Sequence, residues 1–107
     1  AYEAAVREWP DRSLPRLALA NLAVARGDLE AAERGFGMAV QIDPADAAAR
    51  NNRAEVLRRM GCVTAAQREV ERAQAAAAGG PLAASVASTA RQVGEMPPGD
   101  APGCPLD

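Results

Sequence analysis

Twelve arginines, fourteen acidic residues and two cysteines are the raw material for chemistry in this 107-residue chain, which has no histidine and no lysine. Without histidine, His-dependent triads and His-containing metal sites are closed to it. Cys62 is the one nucleophile with a structured setting, and no base accompanies it. The carboxylate pairs Glu30/Glu33 and Glu69/Glu71 share helical faces with arginines and read as surface charge. The sequence therefore predicts a chain that is not an enzyme, with no catalytic residue, no metal ligand and no cofactor. Cys62 and Cys104 do not make a disulfide framework, because Cys104 sits in a tail rich in Pro and Gly with no evident reason to hold a fixed position. Spacing alone sets no Cα distance, so a bridge is not expected and the redox compartment stays open.

The elements that must position these residues are helical. Half of the chain is hydrophobic, yet its aromatics are only Tyr2, Trp9 and Phe36, and 27 residues are alanine. Alanine is the best helix former and strand formers are scarce, which all but excludes an all-β fold. The Lys-free, Ala- and Arg-rich usage reads as the codon bias of a GC-rich bacterial genome. A formal charge of −2 is too balanced for nucleic-acid binding judged on net charge. No apolar run approaches the ~18 residues of a membrane span and no signal-peptide pattern opens the chain, so no membrane association is expected. A first residue of Ala in place of Met predicts an excised or processed fragment.

Punctuation recurs at one step. Pro10 and Pro44, Gly27 and Gly61, Ala20 and Ala54, and Ala32 and Ala66 are each 34 residues apart. Tyr2, Phe36 and Val70 form a large-apolar series at the same step, and Ala5, Ala39 and Ala73 a small one. Gly27 and Gly61 suit left-handed helix ends, Asp28 suits the next N-cap, and Thr64 with Gln67 offers a capping box. Asp43-Pro44 and Trp9-Pro10 stop helices. The reading is helices near 1–8, 13–26, 29–42, 46–60, 63–78 and 81–93, with Pro81 at a first helical position.

Residues 13–46 carry Leu19-Ala20-x2-Ala23, Ala32-x3-Phe36 and Pro44, and residues 47–80 carry Ala54-x2-Leu57 and Ala66-x3-Val70. In these features the chain resembles the tetratricopeptide repeat family. The resemblance implies an all-α fold, a short α-α superhelix: a solenoid of antiparallel helical hairpins. Residues 1–12 would be the second helix of a partial repeat, 13–46 and 47–80 two repeats, and 81–93 a capping helix. Residues 94–107, with four prolines and three glycines, read as a disordered tail. The pattern is degenerate in places: Arg16 replaces a Trp, Ala23 a Tyr, and Arg53 stands where repeat one has Leu19. The aliphatic stem of Arg53 is expected to lie on apolar surface with its head in water.

In the family, the first helices of the hairpins line a concave groove for partner peptides. The resemblance carries that role to Leu14, Leu17, Asn21, Val24 and Ala25, then Ala48, Asn51, Glu55, Arg58 and Arg59, then Ser85 and Thr89. The spacing 17, 21, 24 and 51, 55, 58 puts each set on one helical face. Asn21 and Asn51 could clamp peptide amides, and Arg58 and Arg59 a carboxylate, or those arginines are simply solvated near a helix C-terminus. The family's carboxylate clamp needs lysines, which argues against that specificity. Arg50, Arg53, Arg58 and Arg59 against Glu55 make a basic helix, but no aromatics interleave and it reads as solubility. The expected function is a non-catalytic protein–protein interaction or scaffold module binding a protein or peptide. The alternative is a repeat appendage of a larger bacterial enzyme such as a papain-like cysteine peptidase. Trp9 is expected to pack on the following helix. The amino-terminal helix is expected to continue into an upstream repeat or domain, or to make a homodimer contact.

Overall fold

Helix ends in this chain are written in its glycines and aspartates. The computed structural model describes residues 13–106, with nothing to be said of the side chains of 13–15. Five helices follow in order: α1 (Ser13–Ala25), α2 (Leu29–Ile42), α3 (Ala47–Arg59), α4 (Val63–Ala77) and α5 (Ala83–Gly94). The described residues hold no strand, and the fold is all-α. The helix expected at 1–8, and Trp9, lie outside the described residues.

Gly27 and Gly61 both take positive φ, 77° and 79°. Each closes its helix by the same pair of bonds: Gly27 N–H donates to Val24 O and Asp28 N–H to Ala23 O; Gly61 N–H donates to Arg58 O and Cys62 N–H to Leu57 O. This is the Schellman arrangement, and its recurrence 34 residues later is the physical content of the glycine column. Asp28 and Asp46 cap α2 and α3, accepting from Ala31 N–H at 3.1 Å and Ala49 N–H at 3.0 Å. At Gly79-Gly80-Pro81 the expectation shifts: Pro81 is not a first helical position, because Leu82 is the N-cap of α5 and the helix begins at Ala83.

The chain divides into two compact units, Ala1–Ala45 and Asp46–Asp107. In the first, α1 packs on α2. Ala20, Ala32, Phe36, Ala39 and Val40 are buried. The closest approach is at Gly35, where a Cβ would lie 2.9 Å from Ala20 Cβ and 3.4 Å from Ala20 Cα. Gly35→Ala gains helix propensity of up to about 1 kcal/mol but must push the helices apart, which typically costs ~1–3 kcal/mol. A net destabilisation of about 1 kcal/mol is expected by thermal unfolding, relieved when Ala20→Gly is added.

In the second unit α4 packs on both α3 and α5, and α5 also touches α3. The core joins Ala54, Leu57, Cys62, Ala66, Val70, Ala73, Val86 and Val93, with Met96 and Cys104 packed against it. Those last two correct the disorder expected for 94–107. Residues 95–106 fold back on the unit, Gly99 and Gly103 turning the chain at φ 96° and 80°, and Cys104 bonds to Cys62. A prolyl, glycyl composition argues against a packed core of its own; here the segment borrows one.

Candidate functional site

Two helical faces and one charged cluster hold the residues singled out by sequence. On α1, Leu17 and Val24 are half-buried and Asn21 is exposed. On α3, Asn51, Glu55 and Arg58 are half-buried and Arg59 is exposed. Leu14 falls among the residues whose side chains are not described. Within the second unit, Asn51 Oδ1 is buried with no hydrogen-bond partner. Arg58 is not an open cation awaiting a ligand: its Nε donates to Glu55 Oε2 at 2.9 Å and its Nη2 to Glu55 Oε1. That hydrogen bonding raises the Arg58 pKa above its ordinary value, so the guanidinium stays charged. A ligand carboxylate would have to compete with Glu55. Arg59 carries no such engagement in the hydrogen bonds and ion pairs of α3. Ser85 on α5 is exposed, but Thr89 is buried and donates its hydroxyl to Ser85 O at 3.3 Å, so it is not a binding-face residue.

The charged cluster corrects two further expectations. Glu69 is not surface charge: it is 0 % exposed. Arg50 Nη1 reaches its Oε1 at 2.9 Å, Arg72 Nη1 the same oxygen at 3.5 Å, and Arg53 Nη1 its Oε2 at 3.3 Å. The Arg53 head is likewise not in water; the residue is 6 % exposed and its guanidinium faces Glu69. The repeat register explains the exchange. Residues 19 and 35 in repeat one are Leu and Gly, and the matching residues 53 and 69 in repeat two are Arg and Glu. One hairpin closes on small and apolar side chains, the other on a buried ion pair. Three of the four arginines that read as a solubility stripe are thus committed to carboxylates.

A third site was not legible in the motifs. Where the tail crosses the α3–α4 corner it walls an open cavity of about 640 Å³ with Arg58, Val63, Gln92, Glu95, Met96 and Asp100 in its lining. Cys62, the N-cap of α4, makes no side-chain cap bond. The expected Thr64/Gln67 capping box is absent from that role. Instead Asp100, 36 residues away, accepts from Thr64 N–H at 2.9 Å, and Ala101 N–H donates to Gly61 O at 3.0 Å. The only sequence signal for this was that the chain's two cysteines form a complete pair. The Thr64 backbone N–H, then the Thr64 hydroxyl, hold the Asp100 carboxyl below the usual aspartate range. A depressed carboxylate stabilises the docked tail above the ordinary aspartate pKa, and that contribution fades as pH falls through the lower, docked value. Acid titration followed at the Thr64 amide should show protection lost below about pH 4, and Asp100→Asn should flatten the dependence.

Among the described residues no group of three His, Cys, Asp or Glu is placed to hold a metal ion. No helix among them is long and apolar enough to cross a membrane. The chain matches no family model, and no curated protein sequence matches it significantly.

Proposed function

We propose that this chain is a non-catalytic interaction module of the tetratricopeptide type, binding a partner peptide on the first helix of each hairpin. The observation that carries the reading is the state of two faces in the same repeat register. Leu17, Asn21 and Val24 on α1, and Asn51, Glu55 and Arg58 on α3, stay partly or fully open while the small residues of the register are buried. Each face mixes apolar contact area with amide and charged groups, the combination that fixes an extended peptide by backbone hydrogen bonds and side-chain pockets. Catalysis has little to draw on, since the chain has no histidine and both cysteines are joined to each other.

The test is selection of peptides from a displayed random library on the whole chain, followed by amide chemical-shift mapping. Shifts should cluster at residues 17–25 and 51–59, and Asn21→Ala with Arg58→Ala should weaken binding about tenfold or more. Selected peptides whose shifts fall elsewhere, or whose affinity ignores both substitutions, would refute the assignment.

A further inference from the structure

We propose that the Cys62–Cys104 bridge is a thiol–disulfide exchange site, attacked at Cys104, whose reduction releases residues 95–106 from the α3–α4 corner. The two sulfurs are unequally reachable. Cys62 is 1 % exposed and belongs to the apolar cluster, whereas Cys104 is only partly buried, on a segment at the unit's surface. Exchange requires a thiolate to approach one sulfur and expel the other. Access therefore selects Cys104 Sγ as the electrophile and Cys62 Sγ as the leaving group.

The step balances with an external dithiol as reductant. Its thiolate attacks Cys104 Sγ, the Cys62–Cys104 bond breaks, and Cys62 leaves as thiolate and takes a proton. The mixed disulfide on Cys104 is then resolved by the reagent's second thiol. The bridge accepts two electrons and two protons in all, and the reagent becomes a disulfide.

Release follows because the tail is weakly held without the bridge. Its remaining polar ties are Asp100 on Thr64 N–H, Ala101 N–H on Gly61 O, and Arg68 Nη1 on Leu106 O at 3.4 Å. Leu106 is 96 % exposed, and Met96 is the apolar anchor besides Cys104. Ordering this Pro- and Gly-rich segment costs more than those contacts return. Release uncaps α4 at Thr64, removes the tail wall of the 640 Å³ cavity and uncovers the Cys62 thiol. The corner of the second unit is thereby displayed or hidden according to the thiol potential around it.

Regiochemistry and release can be read separately on the whole oxidised chain. Brief treatment with glutathione, acid quench and trypsin yields 60–68 with Cys62 and 92–107 with Cys104. The adduct is expected on 92–107; an adduct chiefly on 60–68 overturns the assignment of the attacked sulfur. With dithiothreitol, and in Cys104→Ser, the Thr64 amide should exchange about tenfold faster or more while helical circular dichroism is kept. Unchanged Thr64 protection after reduction overturns the release. So does loss of the helical signal on reduction, since the bridge would then be a staple of the whole unit.

Discussion

Glu69→Ala is expected to be the most damaging single substitution in the second unit, lowering stability by about 3–5 kcal/mol. The carboxylate is fully buried, and its removal leaves the guanidinium of Arg53, itself 6 % exposed, without the charge that compensates its desolvation. Arg50 and Arg72 suffer less, with side chains 14 % and 41 % exposed and so able to turn to water. A domain typically has only about 5–15 kcal/mol in hand, so the variant should melt more than ~12 °C lower or be recovered unfolded. Thermal unfolding by circular dichroism reads the effect. The double variant Arg53→Leu/Glu69→Ala separates two explanations. It writes the apolar character of Leu19 and Gly35 into the matching places of repeat two and leaves no buried unpaired charge. The double should therefore be more stable than Glu69→Ala alone; an equal or greater loss would show that volume, not charge, dominates.

Removing the disulfide is the second large effect. The cysteines are 42 residues apart in sequence. Closing a loop of that length restricts the unfolded chain by roughly 4 kcal/mol in the chain-entropy account, and native bridges typically contribute about 2–4 kcal/mol. Cys104→Ser is the cleaner variant, because Cys62 is part of the buried cluster and keeps its sulfur there. The urea midpoint of Cys104→Ser should fall, matching that of the reduced wild-type chain. Its m-value should rise slightly, since the unlinked chain exposes more surface on unfolding. A midpoint equal to that of the oxidised wild type would show that the bridge adds nothing to stability.

These two predictions fall where the sequence was least readable. Glu69 and Arg53 look like solvated charges in one dimension, since a helical face shared with arginines is the commonest setting of a surface acid. Their partnership joins residues of α3 and α4 that are 16 apart, and only the packing angle of that hairpin turns a nominal surface pair inward. Cys104 and Asp100 were obscured by composition: prolines and glycines that cannot build a core can still be laid over one. Thr64 was read as the owner of its own cap, whereas the cap comes from Asp100.

What the sequence by itself determined is everything governed by contacts within a few residues. Helix-forming alanine, left-handed glycines at 27 and 61, and capping aspartates at 28 and 46 act over one turn, so the order and bounds of α1 to α4 follow from them. The tertiary structure alone decided what depends on which surfaces meet: Glu69 among three arginines, Arg58 held by Glu55, and a tail tied through Cys104 to the start of α4. Charge pairing and disulfide closure depend on distance in space, and neither the 34-residue period nor composition encodes that distance.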